Sequence, residues 1–141
     1  MATTRSATAH WEGNLAEGKG SVSLDTSAAG SFDVTWRARA ESADGLTSPE
    51  ELLAAAHAAC FSMALSHGLS QAGTPPTVIN TTAAATFQPG TGITGIHLTV
   101  RAEVGGLAAA DFAAAAADAK ANCPVSKALA GTTITLDAAL A

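Results

Sequence analysis

The chain has few aromatic side chains and few charges. Of its 141 residues, 4% are aromatic, none is tyrosine, and 13% are charged, although 48% are hydrophobic. Much of that hydrophobic fraction is alanine, so the core is poor in large side chains and burial across a subunit interface is expected. The net charge is −5 and the basic residues are scattered. This balance argues against nucleic acid or an anionic membrane as the main partner.

The sequence also shows no segment typical of export. No apolar run follows the polar start Met1–Ser6, which predicts that there is no signal peptide. The longest apolar stretch, residues 52–66, is interrupted by His57 and is expected to be too short to span a bilayer. We therefore expect a soluble cytoplasmic protein. In that reducing compartment Cys60 and Cys123 are expected to be free, redox-active or metal-binding rather than a permanent disulfide.

Strand and helix patterns follow one another without a linker or a repeat, which predicts one domain over residues 1–141. Period-two alternation at 21–24 and 32–37 predicts two or three short antiparallel strands that end near Ala40. In the second half, the remaining predicted elements are strands at 78–87, 93–104 and 133–140 and helices at 108–121 and from Pro124 onward. This order, with one long helix in the middle, predicts an α+β fold.

The long middle helix has clear start and stop signals. Ser48 is a capping residue, Pro49 suits the first helical position, and Glu51 completes a capping box. The helix is predicted to run to about Gln71, with Gly73 as its C-terminal glycine. Nearly every residue after the first turn is apolar, so we expect the helix to be buried on most sides.

The two cysteines are the candidate reactive residues. Cys60 lies in the middle of the long apolar helix, where a free cysteine is often only a small core residue. Cys123 precedes Pro124, which predicts that it caps the next helix, and a helix N-terminus favours a thiolate. The two residues suit a peroxidatic and resolving pair if the fold brings them together, which their spacing does not show.

A reactive thiolate needs a nearby cation, and Arg37 and Arg39 are the candidates. On a strand the two side chains would share a face, although a solvated arginine is the commoner role. Glu50 is able to hold an arginine in place through a bidentate pair. It is ten helical residues from Cys60, about 15 Å of rise. If both serve one site, either an arginine bridges them or Glu50 comes from a second subunit.

His57 precedes Cys60 by three residues on the same helix and is expected to neighbour it. A cysteine–histidine pair would suggest acyl transfer by a thiol hydrolase. The more ordinary interpretation is a core or interface histidine with a satisfied hydrogen bond. The other histidines, His10, His67 and His97, are dispersed and show no metal-ligand spacing.

Two blocks of sequence around the cysteines, Ser48–Leu65 and Cys123–Leu129, resemble the osmotically inducible protein C (OsmC) family, which includes the organic hydroperoxide resistance (Ohr) proteins. The segments His10–Gly13 and Gly18–Gly20 are similar to the OsmC branch in particular. The resemblance covers essentially the whole chain. It implies an OsmC-like fold, with antiparallel sheets packed around a long buried central helix, in an intertwined homodimer with its site at the interface.

The resemblance also implies a cysteine peroxidase that acts on organic hydroperoxides and less well on hydrogen peroxide. By position, Cys60 matches the peroxidatic cysteine, Cys123 the resolving cysteine and Glu50 the family's glutamate. The family's arginine falls on Arg39, judged by the Arg-x-Glu that begins there, and Arg37 remains the alternative. No metal or organic cofactor is expected, because the sulfur atoms carry the electrons.

The implied cycle converts Cys60 to a sulfenic acid, which condenses with Cys123 to a disulfide. An external dithiol then restores both thiols, and the resemblance implies that a dihydrolipoyl protein carries it. Apolar neighbours such as Leu53, Phe61 and Met63 either shape a pocket for alkyl hydroperoxides or are plain core. Two other functions stay open at this point. One is the hydrolase with Cys60 and His57, and the other is a non-catalytic stress dimer that binds small molecules.

Overall fold

The computed structural model describes residues 1–141 as six strands and four helices. The strands are β1 Thr8–Glu12, β2 Lys19–Ser23, β3 Ser31–Val34, β4 Val78–Gln88, β5 Gly92–Glu103 and β6 Ile134–Leu140. The helices are α1 Trp36–Ala40, α2 Pro49–Gln71, α3 Ala109–Asn122 and α4 Pro124–Ala128. The chain divides into two compact units, residues 1–52 and 53–141. A single domain remains our prediction, and the α+β class is confirmed.

The first unit contains an antiparallel sheet with the strand order β1-β2-β3. Trp11 pairs with Gly20 across the first two strands, and its ring lies over that glycine. A Cβ atom on Gly20 would lie 2.8 Å from the ring and 2.5 Å from the His10 carbonyl, so only glycine fits there. No apolar side chain of this unit is fully buried, and Trp11, Leu15 and Phe32 are well exposed.

The predicted strand that was to reach Ala40 ends at Val34, and the chain turns into α1 instead. The Oγ1 atom of Thr35 accepts the Ala38 N–H at 3.1 Å, so Thr35 caps the new helix. Arginine and alanine favour the helix once this cap has started it. Arg37 and Arg39 therefore lie about 200° apart around α1 and do not share a face, as the strand prediction had required.

The bounds predicted for α2 are confirmed at both ends. At the start, Ser48 Oγ accepts the Glu51 N–H at 3.2 Å, while the Glu51 carboxylate accepts from Thr47 rather than completing the capping box. At the end, Gly73 has φ +84° and its N–H binds the Ser70 carbonyl, while the Thr74 N–H binds the Leu69 carbonyl. These two bonds form a Schellman motif, for which glycine is the favoured residue.

Burial of α2 is one-sided, contrary to the expectation that most of its sides would be covered. Phe61, Leu65 and Leu69 are fully buried, whereas Ala59 is exposed and Met63 is 72% exposed. With 23 residues and a mean hydropathy of 1.4, α2 is long and apolar enough to cross a membrane, so the estimate that it is too short was wrong. The buried side nevertheless belongs to a protein core, which makes α2 a core helix.

The second unit contains the sheet β4-β5-β6. Strands β4 and β5 form an antiparallel hairpin, closed by a turn in which Pro89 is followed by Gly90 at φ +82°. Proline and then a left-handed glycine are the residues that a type II turn favours. Strand β6 pairs with β5 in parallel, whereas antiparallel sheets were expected. Parallel neighbours need a crossover connection, and the segment with α3 and α4 supplies it between β5 and β6.

One apolar core holds the second unit together. Side chains of α2, β5 and α3 meet in it, and Cys123 is among its fully buried members. Cys60 is half-buried and packs against the same cluster. The buried members contributed by the three elements are Phe61, Leu65, Leu69, Leu98, Val100, Ala102, Phe112, Ala116 and Ala119. Because these contacts fix α2 against the α3–α4 segment, they position the two cysteines.

Candidate active site

The fold brings the two cysteines into direct contact. The Sγ atoms of Cys60 and Cys123 are 3.0 Å apart, and both residues are free thiols. Cys123 forms the joint between two helices: its N–H closes α3 on the Ala119 carbonyl at 2.8 Å, and Pro124 begins α4. The predicted capping position of Cys123 is therefore present. Cys60 is half-buried while Cys123 is fully buried, so Cys60 is the thiol that a reactant from solvent reaches first.

The two thiols have unequal acidity. Burial raises the pKa of Cys60, and its hydrogen bond with Cys123 raises it further. Burial by itself would also raise the pKa of Cys123, but hydrogen bonds from Cys60 and from the Ser126 and Val125 N–H groups outweigh it and lower that pKa. The shared hydrogen bond therefore shifts the two pKa values in opposite directions.

Arg39 and Glu50 form a bidentate ion pair within the first unit. The Nε and Nη2 atoms of Arg39 donate to Glu50 Oε1 at 3.1 and 2.8 Å, and Nε also approaches Oε2 at 3.2 Å. The Glu50 side chain is 8% exposed and that of Arg39 is 32% exposed. This geometry fixes the plane of the guanidinium group and leaves part of it accessible to a ligand.

Arg37 makes no contact with Glu50. Its guanidinium group is 70% exposed, and it pairs loosely with Glu41 at 3.7 Å and with Asp44 at 3.8 Å. Such solvated pairs hold a side chain weakly. Of the two candidate arginines, the structure thus gives only Arg39 a carboxylate that orients it.

Arg39 also lines a hollow of about 360 Å³ in the first unit. The other walls include the apolar side chains of Trp11, Leu15, Val34 and Trp36. A guanidinium group at the wall of an apolar hollow suits a ligand that has one polar end and a hydrocarbon tail. The sequence had suggested that Leu53, Phe61 and Met63 either line such a pocket or are plain core. Phe61 instead belongs to the core of the second unit, and Met63 faces solvent.

His57 is fully buried and makes its hydrogen bond with Ser126 rather than with Cys60. The Nε2 atom of His57 and the Oγ atom of Ser126 are 2.7 Å apart, while Nδ1 has no partner. Burial lowers the pKa of His57, so its ring is neutral at pH 7. This arrangement is the core histidine of the ordinary interpretation, and it does not form the cysteine–histidine pair of a thiol hydrolase.

Sequence reasoning did not single out Ser126, which is buried one turn after Cys123. A signal was present, because a serine three residues after a helix cap lies close to that cap. Elsewhere, no three side chains of histidine, cysteine, aspartate or glutamate cluster as a metal site would need.

Comparison with known proteins gives similarity over nearly the whole chain. The sequence profile of the family described as OsmC-like protein matches residues 41–137. Peroxiredoxin OsmC from Escherichia coli (strain K12) is 46% identical over 132 residues, which are 92% of this chain and 91% of that protein. The peroxiredoxin OsmC of Shigella flexneri matches equally well.

Two solved structures have the same fold and appreciable identity. One is the organic hydroperoxide resistance protein OsmC from Legionella pneumophila, with a TM-score of 0.73, 27% identity and coverage of 96% of each chain. The other is the organic hydroperoxide resistance protein OhrB of Bacillus subtilis, with a TM-score of 0.71 and 26% identity. That match covers 99% of this chain and 98% of the OhrB chain.

Proposed function

Because the chain belongs to the OsmC-like protein family, we propose that its thiol-dependent peroxidase activity uses Cys60 as the peroxidatic cysteine and Cys123 as the resolving cysteine. The substrates are organic hydroperoxides, with hydrogen peroxide reduced less well. The observation that carries the assignment is the 3.0 Å contact between a half-buried and a fully buried thiol. The accessible thiol meets the peroxide, and the buried one is already within reach of the product.

The proposed cycle has three steps. The Cys60 thiolate attacks one peroxide oxygen, the O–O bond breaks, and the alkoxide takes a proton to leave as an alcohol, which converts Cys60 to a sulfenic acid. Cys123 then attacks the sulfenic sulfur, so that an S–S bond forms and the oxygen leaves as water. Finally, an external dithiol reduces the disulfide by thiol–disulfide exchange.

Arg39 supplies the cation for the first step in this proposal, and Glu50 holds it in place. Burial raises the pKa of Cys60, so this thiol needs additional stabilisation of its charged form before it attacks. An oriented guanidinium group also binds the peroxide oxygens and stabilises the leaving alkoxide. The apolar hollow beside Arg39 is the place we assign to the alkyl group of the substrate, which explains a preference for organic hydroperoxides.

A homodimer is part of the proposal. The three-stranded sheet of the first unit has no fully buried apolar side chain, and such a sheet is not stable without a covering surface. In the second unit, α2 exposes an apolar side that contains Ala55, Ala59 and Met63. In the proposed dimer, a second copy of the chain covers the sheet of the first unit and the apolar side of α2. The intertwined dimer that the family resemblance implies is consistent with the exposure of these two surfaces.

The partner that reduces the disulfide carries two thiols, and we assign a dihydrolipoyl protein to this role. A vicinal dithiol is suited to the task because its second thiol resolves the mixed disulfide that the first thiol forms. We place the protein in the cytoplasm, where such dithiols are kept reduced.

The test is a thiol count with an intact mass after one equivalent of cumene hydroperoxide. We expect the native protein to lose both thiols to an internal disulfide. The Cys123→Ser variant should stop at a sulfenic acid on Cys60, and the Cys60→Ser variant should not react. Thiols that persist in the native protein would contradict the proposal and leave a non-catalytic binding dimer. A Cys123→Ser variant that keeps full peroxide turnover would contradict the resolving role of Cys123.

A further inference from the structure

We propose that Trp11 is the specificity-determining residue of the peroxidase, because its indole ring forms a fixed wall against which the hydrocarbon group of the hydroperoxide packs. The inference rests on the proposed function and deepens it, since it concerns the apolar hollow beside Arg39. Hydroperoxides with a large or aromatic hydrocarbon group are then preferred over hydrogen peroxide and tert-butyl hydroperoxide. The inference also assigns a role to the segments His10–Gly13 and Gly18–Gly20, which the reaction cycle does not use.

The first argument is the position of Trp11 in β1. Successive side chains of a strand point to opposite faces of the sheet, so Trp11 lies on the face opposite to His10 and Glu12. Those two side chains bind each other, with 3.0 Å between Nε2 and Oε1. Trp11 instead lines the hollow of about 360 Å³ that Arg39 also lines. It is the one residue of β1 that contributes to this hollow.

The second argument is that the ring of Trp11 is held in one place. It lies against the backbone of Gly18 and Gly20, where a Cβ atom would come within 2.9 and 2.8 Å of ring carbons. At the edge of the ring, the indole Nε1–H donates to the Gly13 carbonyl at 3.0 Å. A ring that is already ordered loses little entropy when a ligand packs against it. Trp11 is nevertheless 41% exposed, so part of its surface is open to a ligand.

The third argument is the chemistry of the other walls. Arg39 and Thr35 are the polar side chains among the lining residues, and the Thr35 hydroxyl already caps α1. A ligand in the hollow therefore meets one cation and otherwise apolar surface. Two of the apolar side chains are indole rings, which favour an aromatic hydrocarbon because aromatic pairs gain energy beyond the burial of their surface. The apolar walls are Trp11, Leu15, Val34, Trp36 and Pro49.

The wall distinguishes substrates by what they carry beyond the O–O bond. Hydrogen peroxide has no hydrocarbon group, so a contact with Trp11 contributes nothing to its reduction. In an organic hydroperoxide, the binding energy of the part that does not react contributes to kcat/KM, because it helps to orient the part that does. Removal of the ring should therefore affect the two kinds of substrate differently.

The test compares kcat/KM for cumene hydroperoxide and for hydrogen peroxide. We expect Trp11→Ala to lower the value for cumene hydroperoxide by about tenfold and to leave that for hydrogen peroxide within about twofold of native. Trp11→Phe keeps an aromatic ring and should lose only about threefold with cumene hydroperoxide. The matched control is Phe32→Ala, because Phe32 belongs to the same sheet, is 40% exposed and does not line the hollow. This control should leave both values near native.

Two kinetic outcomes would overturn the inference. One is an equal loss for both peroxides in Trp11→Ala. The other is an equal loss for cumene hydroperoxide in Trp11→Ala and Phe32→Ala, which would show that exposed aromatic side chains of this sheet only stabilise the fold or the proposed dimer. Sedimentation velocity on the same variants checks that their assembly matches that of the native protein.

A second measurement keeps Trp11 in place and needs no turnover. The chain has two tryptophans, which both line the hollow, and no tyrosine, so its emission reports on this site. In a Trp36→Phe variant, cumyl alcohol (the product of cumene hydroperoxide) should change the emission of Trp11 saturably, and tert-butanol should change it much less. No saturable change, or an equal one with tert-butanol, would overturn the inference even if native turnover is normal. A native protein that reduces no peroxide would refute the proposed function instead.

Discussion

Replacing Arg39 with lysine keeps the positive charge but removes the guanidinium group that binds Glu50 in a bidentate manner. A lysine ammonium group is a point donor and cannot reproduce the paired contacts that Nε and Nη2 make at 2.8–3.2 Å. Each charge-assisted hydrogen bond contributes about 1.5–3 kcal/mol when it is buried. The Arg39 side chain is 32% exposed, so solvent weakens the contribution of these hydrogen bonds to stability. We therefore expect the free energy of unfolding to fall by about 1–2 kcal/mol.

Activity should fall more than stability. A lysine at this position is not held in one plane, and misplacement of a charge by about 1 Å is sufficient to cost a hundredfold in rate. We expect kcat/KM for cumene hydroperoxide to decrease about tenfold to a hundredfold in Arg39→Lys, and similarly in Glu50→Gln. Combining the two substitutions should add little, because both act through the same ion pair. The assays are urea unfolding at fixed protein concentration and peroxide-dependent oxidation of dithiothreitol.

Arg37→Lys is the matched control for this experiment. Arg37 lies on the same short helix, but its pairs are longer than 3.5 Å and it is 70% exposed. Its replacement should change the free energy of unfolding by less than about 0.5 kcal/mol and leave kcat/KM near the native value. Equal losses in Arg37→Lys and Arg39→Lys would refute the assignment of Arg39, as would native activity in Arg39→Lys.

Three further predictions concern stability and assembly. Burial lowers the pKa of His57 from its ordinary 6.5, so the folded chain binds fewer protons than the unfolded chain below that pH. The free energy of unfolding should therefore decrease as the pH is lowered from about 7 to about 5. An equal decrease in the His57→Gln variant would exclude His57 as the cause. Phe61→Ala should lower the free energy of unfolding by about 3–5 kcal/mol, measured by urea unfolding, because it leaves a cavity in the core. A loss below about 1 kcal/mol would show that the neighbouring side chains move in to fill the cavity. Met63→Lys should convert the proposed dimer to monomers in sedimentation velocity, a prediction that fails if the native protein already sediments as a monomer.

Local signals in the sequence predicted much of the fold. The bounds of α2 follow from Ser48, Pro49 and Gly73, because helix caps depend on single residues. The capping position of Cys123 follows from the proline after it in the same way.

The errors arose where local patterns compete or where long-range packing decides. Alternation through residues 32–37 favoured a strand, but the Thr35 side chain caps a helix there and separates the two arginines. The direction of β6 depends on the crossover from β5, which no local pattern encodes. Contact between the cysteines depends on how α2 packs against the α3–α4 segment, so spacing could not predict it.

The same contact has a consequence for the denatured chain. The two cysteines are 63 positions apart in sequence, so a disulfide between them would tie the unfolded polypeptide into a large ring. By the chain-entropy relation, closing a ring of this size stabilises the folded form by about 4 kcal/mol. In each catalytic cycle the protein would then alternate between an oxidised form with a higher free energy of unfolding and a reduced form with a lower one. The melting temperature would therefore report which fraction of the protein is in the disulfide form and has not yet been reduced.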